Sequence, residues 1–106
     1  MNQPNPNSQQ TVLITDDNPE NIFFLGEILK KHYNVKAATN GDEALRILWG
    51  KNPPSLVLMD VVMPEMDGFE VCRRLKSRPS SQNIPVIFVT ALDETIDETK
   101  GFEAGG

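Results

Sequence analysis

The chain has 106 residues and a formal net charge of -5, so we expect one compact domain with a modest core. The acidic residues are scattered and no basic stripe is visible, which disfavours direct binding to nucleic acid. The longest apolar runs are far shorter than the roughly 20 residues that a membrane-spanning helix needs. The lone cysteine, Cys72, excludes an internal disulfide, and no secretory signal opens the chain, so we expect a cytoplasmic location.

The first residues of the chain differ in composition from the rest. Residues 1–10 hold mainly Asn, Gln, Pro and Ser, which bury too little apolar surface to offset the entropy of ordering them. We therefore expect a disordered leader over residues 1–10 and a single domain over residues 11–106.

Short apolar runs alternate with segments of helical period along the rest of the chain. Four strands are predicted, at Val12–Ile14, Val35–Ala38, Leu56–Met59 and Val86–Val89. Three of these runs are apolar at consecutive positions, which is typical of strands buried on both faces of a parallel sheet. Lys36 interrupts the second run, which favours a position near the edge of the sheet.

Helices are predicted to follow each strand. Asn18, Asn40 and Asp67 are the expected N-caps of the first three, and a fourth is expected from about Glu94 to Ala104. The expected inward-facing residues are Ile22, Leu25, Ile28 and Leu29 in the first helix, Ala44, Leu45, Ile47 and Leu48 in the second, and Val71, Cys72 and Leu75 in the third. The alternation of strand and helix predicts an α/β fold with a doubly wound parallel sheet.

Three carboxylates are expected at one edge of this sheet. Asp16 and Asp17 end the first strand and Asp60 ends the third, and these strands are neighbours in a doubly wound sheet. Two unit charges 4 Å apart repel by about 4 kcal/mol at an effective dielectric near 20, so a cation or bound protons must relieve the repulsion. Oxygen ligands favour Mg²⁺ or Mn²⁺, which would also bridge to a phosphoryl oxygen while a carboxylate attacks phosphorus.

Three motifs follow one another in a set order. They are the Asp16-Asp17 pair after an apolar strand, the run from Asp60 to Gly68, and Thr90-Ala91 after another apolar strand. In this the chain resembles the response-regulator receiver (CheY-like) domains of two-component signalling, from about Thr11 to its end. The resemblance implies a flavodoxin-like sheet of strand order 2-1-3-4. It also implies a signalling module, not a turnover enzyme, that accepts a phosphoryl group on Asp60 from a histidine kinase or phosphotransfer protein.

The resemblance also implies a role for other positions around Asp60. Asp17 would bind the metal directly with Asp60, and Val62 would contribute its backbone carbonyl to the metal. Asp16 would be the second acid of the metal site, which in the family often holds the metal through water. Thr90 would hydrogen-bond a phosphoryl oxygen, and Ala91 would let the backbone approach the phosphoryl group.

The chain departs from the family pattern at its C-terminal end. Receiver domains continue beyond the segment that matches residues 101–106 with a fifth strand, which carries an aromatic switch residue and a Lys, and a fifth helix. From this departure we expect impaired phosphorylation, bared apolar surface on the sheet and the first helix, and self-association through that surface.

Two alternatives stay open. One is a structural or dimerisation fragment that does not signal, and the other is a small Mg²⁺-dependent phosphatase. The second is disfavoured because haloacid-dehalogenase-like enzymes place Asp-x-Asp after the first strand, whereas Asp16 and Asp17 are adjacent. For Asp67, a helix cap is a better interpretation than a metal ligand.

Overall fold

The computed structural model describes residues 10–89 of the chain. The elements in chain order are β1 (Thr11–Thr15), α1 (Pro19–Leu29), β2 (Asn34–Ala38), α2 (Gly41–Leu48), β3 (Leu56–Asp60), α3 (Gly68–Lys76) and β4 (Val86–Val89). The four strands and first three helices are therefore confirmed, whereas nearly all of the expected leader and the fourth helix lie outside the described residues. Between residues 10 and 89, no helix combines the length and apolar character that a bilayer crossing requires.

The four strands form one parallel sheet in the order β2-β1-β3-β4. This order confirms the predicted doubly wound, flavodoxin-like arrangement, with β2 at one edge. Thr15 pairs with Met59 across β1 and β3, and Asp60 pairs with Val89 across β3 and β4. The carboxyl ends of β1 and β3 consequently lie side by side, and the residues that follow β1 emerge next to Asp60.

The core lies between the sheet and helices α2 and α3. Its main buried cluster consists of Leu13, Ala38, Ala44, Leu45, Leu48, Val57, Met59, Met63, Val71 and Leu75. A second cluster combines Val61, Phe69 and Cys72, with the rings of Phe69 and Phe88 5.0 Å apart. The predicted inward faces of α2 and α3 are thus confirmed, although Ile47 is only half-buried against this core.

Helix α1 is less buried than its apolar pattern predicted, and none of its residues is fully buried. Ile22, Leu25 and Leu29 are half-buried, and the helix contacts β1 and β2. The prediction that Ile28 faces inward is wrong, because its side chain is 55% exposed. At about 100° per residue, Ile28 points well away from the stripe formed by the other three residues.

Each helix begins at its predicted N-cap. The side-chain oxygens of Asn18, Asn40 and Asp67 accept hydrogen bonds of 2.8 to 2.9 Å from backbone N–H groups two or three residues later. These bonds satisfy donors that the first helical turn leaves without partners. They confirm Asp67 as a helix cap, and they fix the loops at the carboxyl edge of the sheet.

Trp49 joins the end of α2 to the segment between α3 and β4. Its indole Nε1–H donates to the Ser81 hydroxyl at 3.1 Å, and that hydroxyl donates to the Leu75 carbonyl at 2.5 Å. The guanidinium carbon of Arg78 lies 3.6 Å from the Trp49 ring centroid. Such contacts are typical of cation–π stacking, so Trp49 stabilises the packing of this corner of the domain.

Candidate metal and phosphoryl site

Asp16, Asp17 and Asp60 come together at the carboxyl edge of the sheet. One carboxylate oxygen from each residue lies within 4.8 Å of the others. The first two follow β1 directly and the third is the last residue of β3, so the pairing of these strands produces the cluster. The arrangement joins residues that are far apart in the sequence, as expected where parallel strands end at a common edge.

Asp16 is buried and is already engaged by the start of α1. Its Oδ1 accepts from the backbone N–H of Asn18 at 2.9 Å, and its Oδ2 accepts from the side-chain amide of Asn21 at 3.1 Å. Each carboxylate oxygen can still accept a second hydrogen bond. Asp16 is therefore suited to holding a metal-bound water, and less suited to direct coordination.

Asp17 and Asp60 have different environments. Asp17 is exposed and makes no hydrogen bond or ion pair within residues 10–89, so its carboxylate is available to a ligand. Asp60 is only 8% exposed, and its Oδ1 accepts a long hydrogen bond of 3.4 Å from the Val62 backbone N–H. The Val62 side chain is 54% exposed beside this carboxylate. One acid thus faces solvent while the other is held close to the sheet.

The loop after β3 holds Asp60 through a tight backbone approach. The N–H of Gly68 donates to the Val61 carbonyl at 2.9 Å. A Cβ at Gly68 would lie 2.2 Å from the Asp60 carbonyl oxygen and 2.8 Å from the Met59 Cγ. Only glycine fits this position, since real Cβ atoms do not approach other atoms so closely.

Glu65 introduces backbone strain in the same loop. Its φ is 68°, and the Met66 N–H donates to the Pro64 carbonyl at 2.7 Å across it. This is the pattern of a γ-turn with a positive central φ, which is rare and costs about 1–3 kcal/mol for a residue with a side chain. The strained turn and the glycine contact together define the path of the chain beside Asp60.

The donor set fits a small hard cation. Around a six-coordinate ion with ligands about 2.1 Å away, ligand oxygens lie about 3 to 4 Å apart. The oxygens of Asp17 and Asp60 lie within 4.8 Å of each other and need only small adjustments to reach such spacing. Carboxylate ligands also favour Mg²⁺ or Mn²⁺ over softer metals. Asp67 is outside the cluster because its carboxylate caps α3.

The other predicted site residues have different outcomes. Val62 lies in the loop directly after Asp60, where its N–H already contacts the carboxylate. Thr90 and Ala91 lie outside the described residues. Sequence reasoning missed Asn21, which orients Asp16, although a polar side chain in the first turn of the following helix was a usable signal.

Comparison with known proteins identifies the kind of domain to which this site belongs. A family model described as the response regulator receiver domain matches residues 12–106. A probable cyclic di-GMP phosphodiesterase of Vibrio cholerae is 49% identical over 98 residues, which cover 92% of this chain and 22% of that protein. Response regulator PleD of Caulobacter vibrioides is 40% identical over 95 residues, which cover 89% of this chain and 21% of PleD. The chain therefore spans about a fifth of the length of these two relatives.

A solved structure shows the same architecture. The signal receiver domain of a signal transduction histidine kinase from Syntrophus aciditrophicus aligns with a TM-score of 0.80 at 39% sequence identity. The alignment covers 91% of this chain and 73% of that one.

Proposed function

This chain belongs to the response regulator receiver domain family, and we propose that it accepts a phosphoryl group on Asp60 in a reaction that requires Mg²⁺ or Mn²⁺. The observation that carries the proposal is the convergence of three carboxylate oxygens within 4.8 Å. The phosphoryl donor would be a phosphohistidine on a histidine kinase or a phosphotransfer protein.

The three acids would have different roles in holding the cation. Asp17 and Asp60 would coordinate it directly, while Asp16 would hold one of its waters, and the Val62 carbonyl would complete the shell. When bound, the cation neutralises the carboxylates and offsets the negative charge of the incoming phosphoryl group. The chain's own contribution is to fix the acceptor carboxylate, through the sheet and the glycine contact at Gly68.

The hydrogen bond from the Val62 N–H engages the Oδ1 of Asp60. We assign nucleophilic attack to one oxygen of this carboxylate, which forms a bond to phosphorus as the phosphorus–nitrogen bond of the donor breaks. The electron pair of that bond stays on the imidazole nitrogen. Because the product remains attached to Asp60, the domain acts as a signalling module and not as a turnover enzyme. Thr90 and Ala91 would contact the transferred phosphoryl group.

The test is intact-mass spectrometry after incubation with Mg²⁺ and acetyl phosphate. The wild type should gain one phosphoryl group, whereas Asp60→Asn should gain none and Asp17→Asn should gain far less. Glu27→Gln removes an exposed acid outside both the cluster and the groove beside it and should behave like the wild type. Chelation of the cation should abolish the adduct.

Other outcomes would favour the alternatives. Steady release of phosphate over many turnovers from a generic phosphate ester would support the phosphatase. Absence of both Mg²⁺ binding and any adduct would contradict the proposal and support a structural fragment. Self-association and a cytoplasmic location stay predictions from the sequence.

A further inference from the structure

A groove opens beside the acidic cluster, between the β2–α2 loop, helix α2 and the loop after β3. Its charged lining residues are Asp17, Asp42, Glu65 and Arg46. Asp17 is the member of the cluster that faces this groove and solvent. A small molecule that enters the groove therefore meets Asp17, which has a carboxylate oxygen within 4.8 Å of one from Asp60.

Among the described residues that line the groove, Arg46 is the basic one. It is exposed on α2, and its guanidinium makes no hydrogen bond or salt bridge within residues 10–89. Asp42 lies one helical turn earlier, where an ion pair with Arg46 would be favourable, yet the two do not form one. The guanidinium is thus available to an anion that enters the groove.

We propose that Arg46 is a specificity-determining residue that draws anionic phosphoryl donors into this groove. The inference rests on the proposed phosphorylation of Asp60. A donor such as acetyl phosphate is negatively charged, and the carboxylates of Asp17, Asp42 and Glu65 repel it. A cation on the wall of a cleft raises the local concentration of an anionic substrate, and salt screens the effect.

Arg46 acts on capture of the donor and not on the transfer step. Its removal should therefore raise the donor concentration needed for half-maximal rate while leaving the maximal rate nearly unchanged. For one exposed charge, we expect about a two- to fivefold effect at low ionic strength, as for other solvent-exposed ion pairs. The effect should shrink at high salt.

The experiment measures initial rates of phosphorylation against acetyl phosphate concentration, at saturating Mg²⁺ and at low and high salt. Arg46→Gln should show the raised half-saturation, and Arg46→Lys should stay near the wild type. Lys51→Gln removes the same charge from an exposed position outside the groove and should leave half-saturation unchanged. Thermal unfolding of each variant confirms that it is folded.

Mg²⁺ affinity supplies a second readout, because removing a positive charge cannot by itself weaken binding of a cation. Unchanged or tighter Mg²⁺ binding in Arg46→Gln supports the inference, whereas weaker binding would show a disturbed site and overturn it. Equal half-saturation in the wild type and Arg46→Gln, or an equal shift in Lys51→Gln, also overturns it while phosphorylation of Asp60 stands. A wild type that gains no phosphoryl group overturns the proposed function itself, and this inference with it.

Discussion

A methyl group added at Gly68 should damage both the fold and the site. The Cβ of Gly68→Ala would lie 2.2 Å from the Asp60 carbonyl oxygen, about 1 Å closer than a carbon–oxygen contact normally allows. Since the obstacle is backbone, it cannot be relieved by a side-chain rotation. Overpacking costs about 1–3 kcal/mol, and we expect the upper part of that range, about 3 kcal/mol.

Urea unfolding followed by the fluorescence of Trp49 measures this loss. At about 1–3 kcal/mol per molar urea, the midpoint should fall by about 1 M or more. Phosphorylation should fall by about 100-fold, since a 1 Å displacement of a reacting group has effects of that size. Gly26→Ala is the matched control, because among residues 10–89 its Cβ would meet only the Val35 Cγ1, at 3.9 Å. This change should stabilise α1 by about 0.5–1 kcal/mol. Wild-type stability or a wild-type rate of phosphorylation in Gly68→Ala would refute the reasoning.

Three further predictions concern other side chains. The Thr15 hydroxyl is buried and has no hydrogen-bond partner among the described residues. Thr15→Val should therefore raise the free energy of unfolding by about 1 kcal/mol. A free energy of unfolding below that of the wild type, measured in urea, would reveal a partner for the hydroxyl. Hydrogen bonds from Arg74 and then Arg73 lower the pKa of Glu70 below 4.5, so its stabilising contribution is present above pH 4.5 and is lost as pH falls through the lowered value. Thermal unfolding of Glu70→Gln between pH 7 and pH 3 should therefore show a weaker dependence on pH, and an unchanged profile would count against this ion-pair effect. Burial raises the pKa of the Cys72 thiol above 9.0, so a thiol reagent should modify it only at the rate of unfolding, and rapid modification of the native protein would show that the thiol is accessible.

Much of the fold could be predicted because its signals are local. Caps such as Asn40 and Asp67 act through bonds to residues two or three positions away, and consecutive apolar residues mark buried strands wherever they occur. The convergence of Asp17 with Asp60 was predictable for a different reason, since parallel strands that pair side by side must end at the same edge.

The features that escaped prediction depend on contacts between distant residues. Trp49 contacts Ser81 and Arg78, which lie about thirty residues later in the sequence, and no local sequence pattern predicts such contacts. The exposure of Ile28 depends on which arc of α1 meets the sheet, and a list of apolar positions does not settle that. Positive φ at Glu65 was also missed, because a glutamate is a poor signal for a turn that normally favours glycine or asparagine.

The position of β1 between β2 and β3 has a consequence for the order of assembly. Strands β1 and β2 are close in sequence and can pair early, whereas pairing Thr15 with Met59 closes a much longer loop. The chain loses the conformational entropy of that loop before the contacts between β1 and β3 stabilise it. The cluster of Asp16, Asp17 and Asp60 can therefore form only after β3 has paired with β1. An ion bound there should slow unfolding far more than it accelerates refolding, because its ligands meet late in the process.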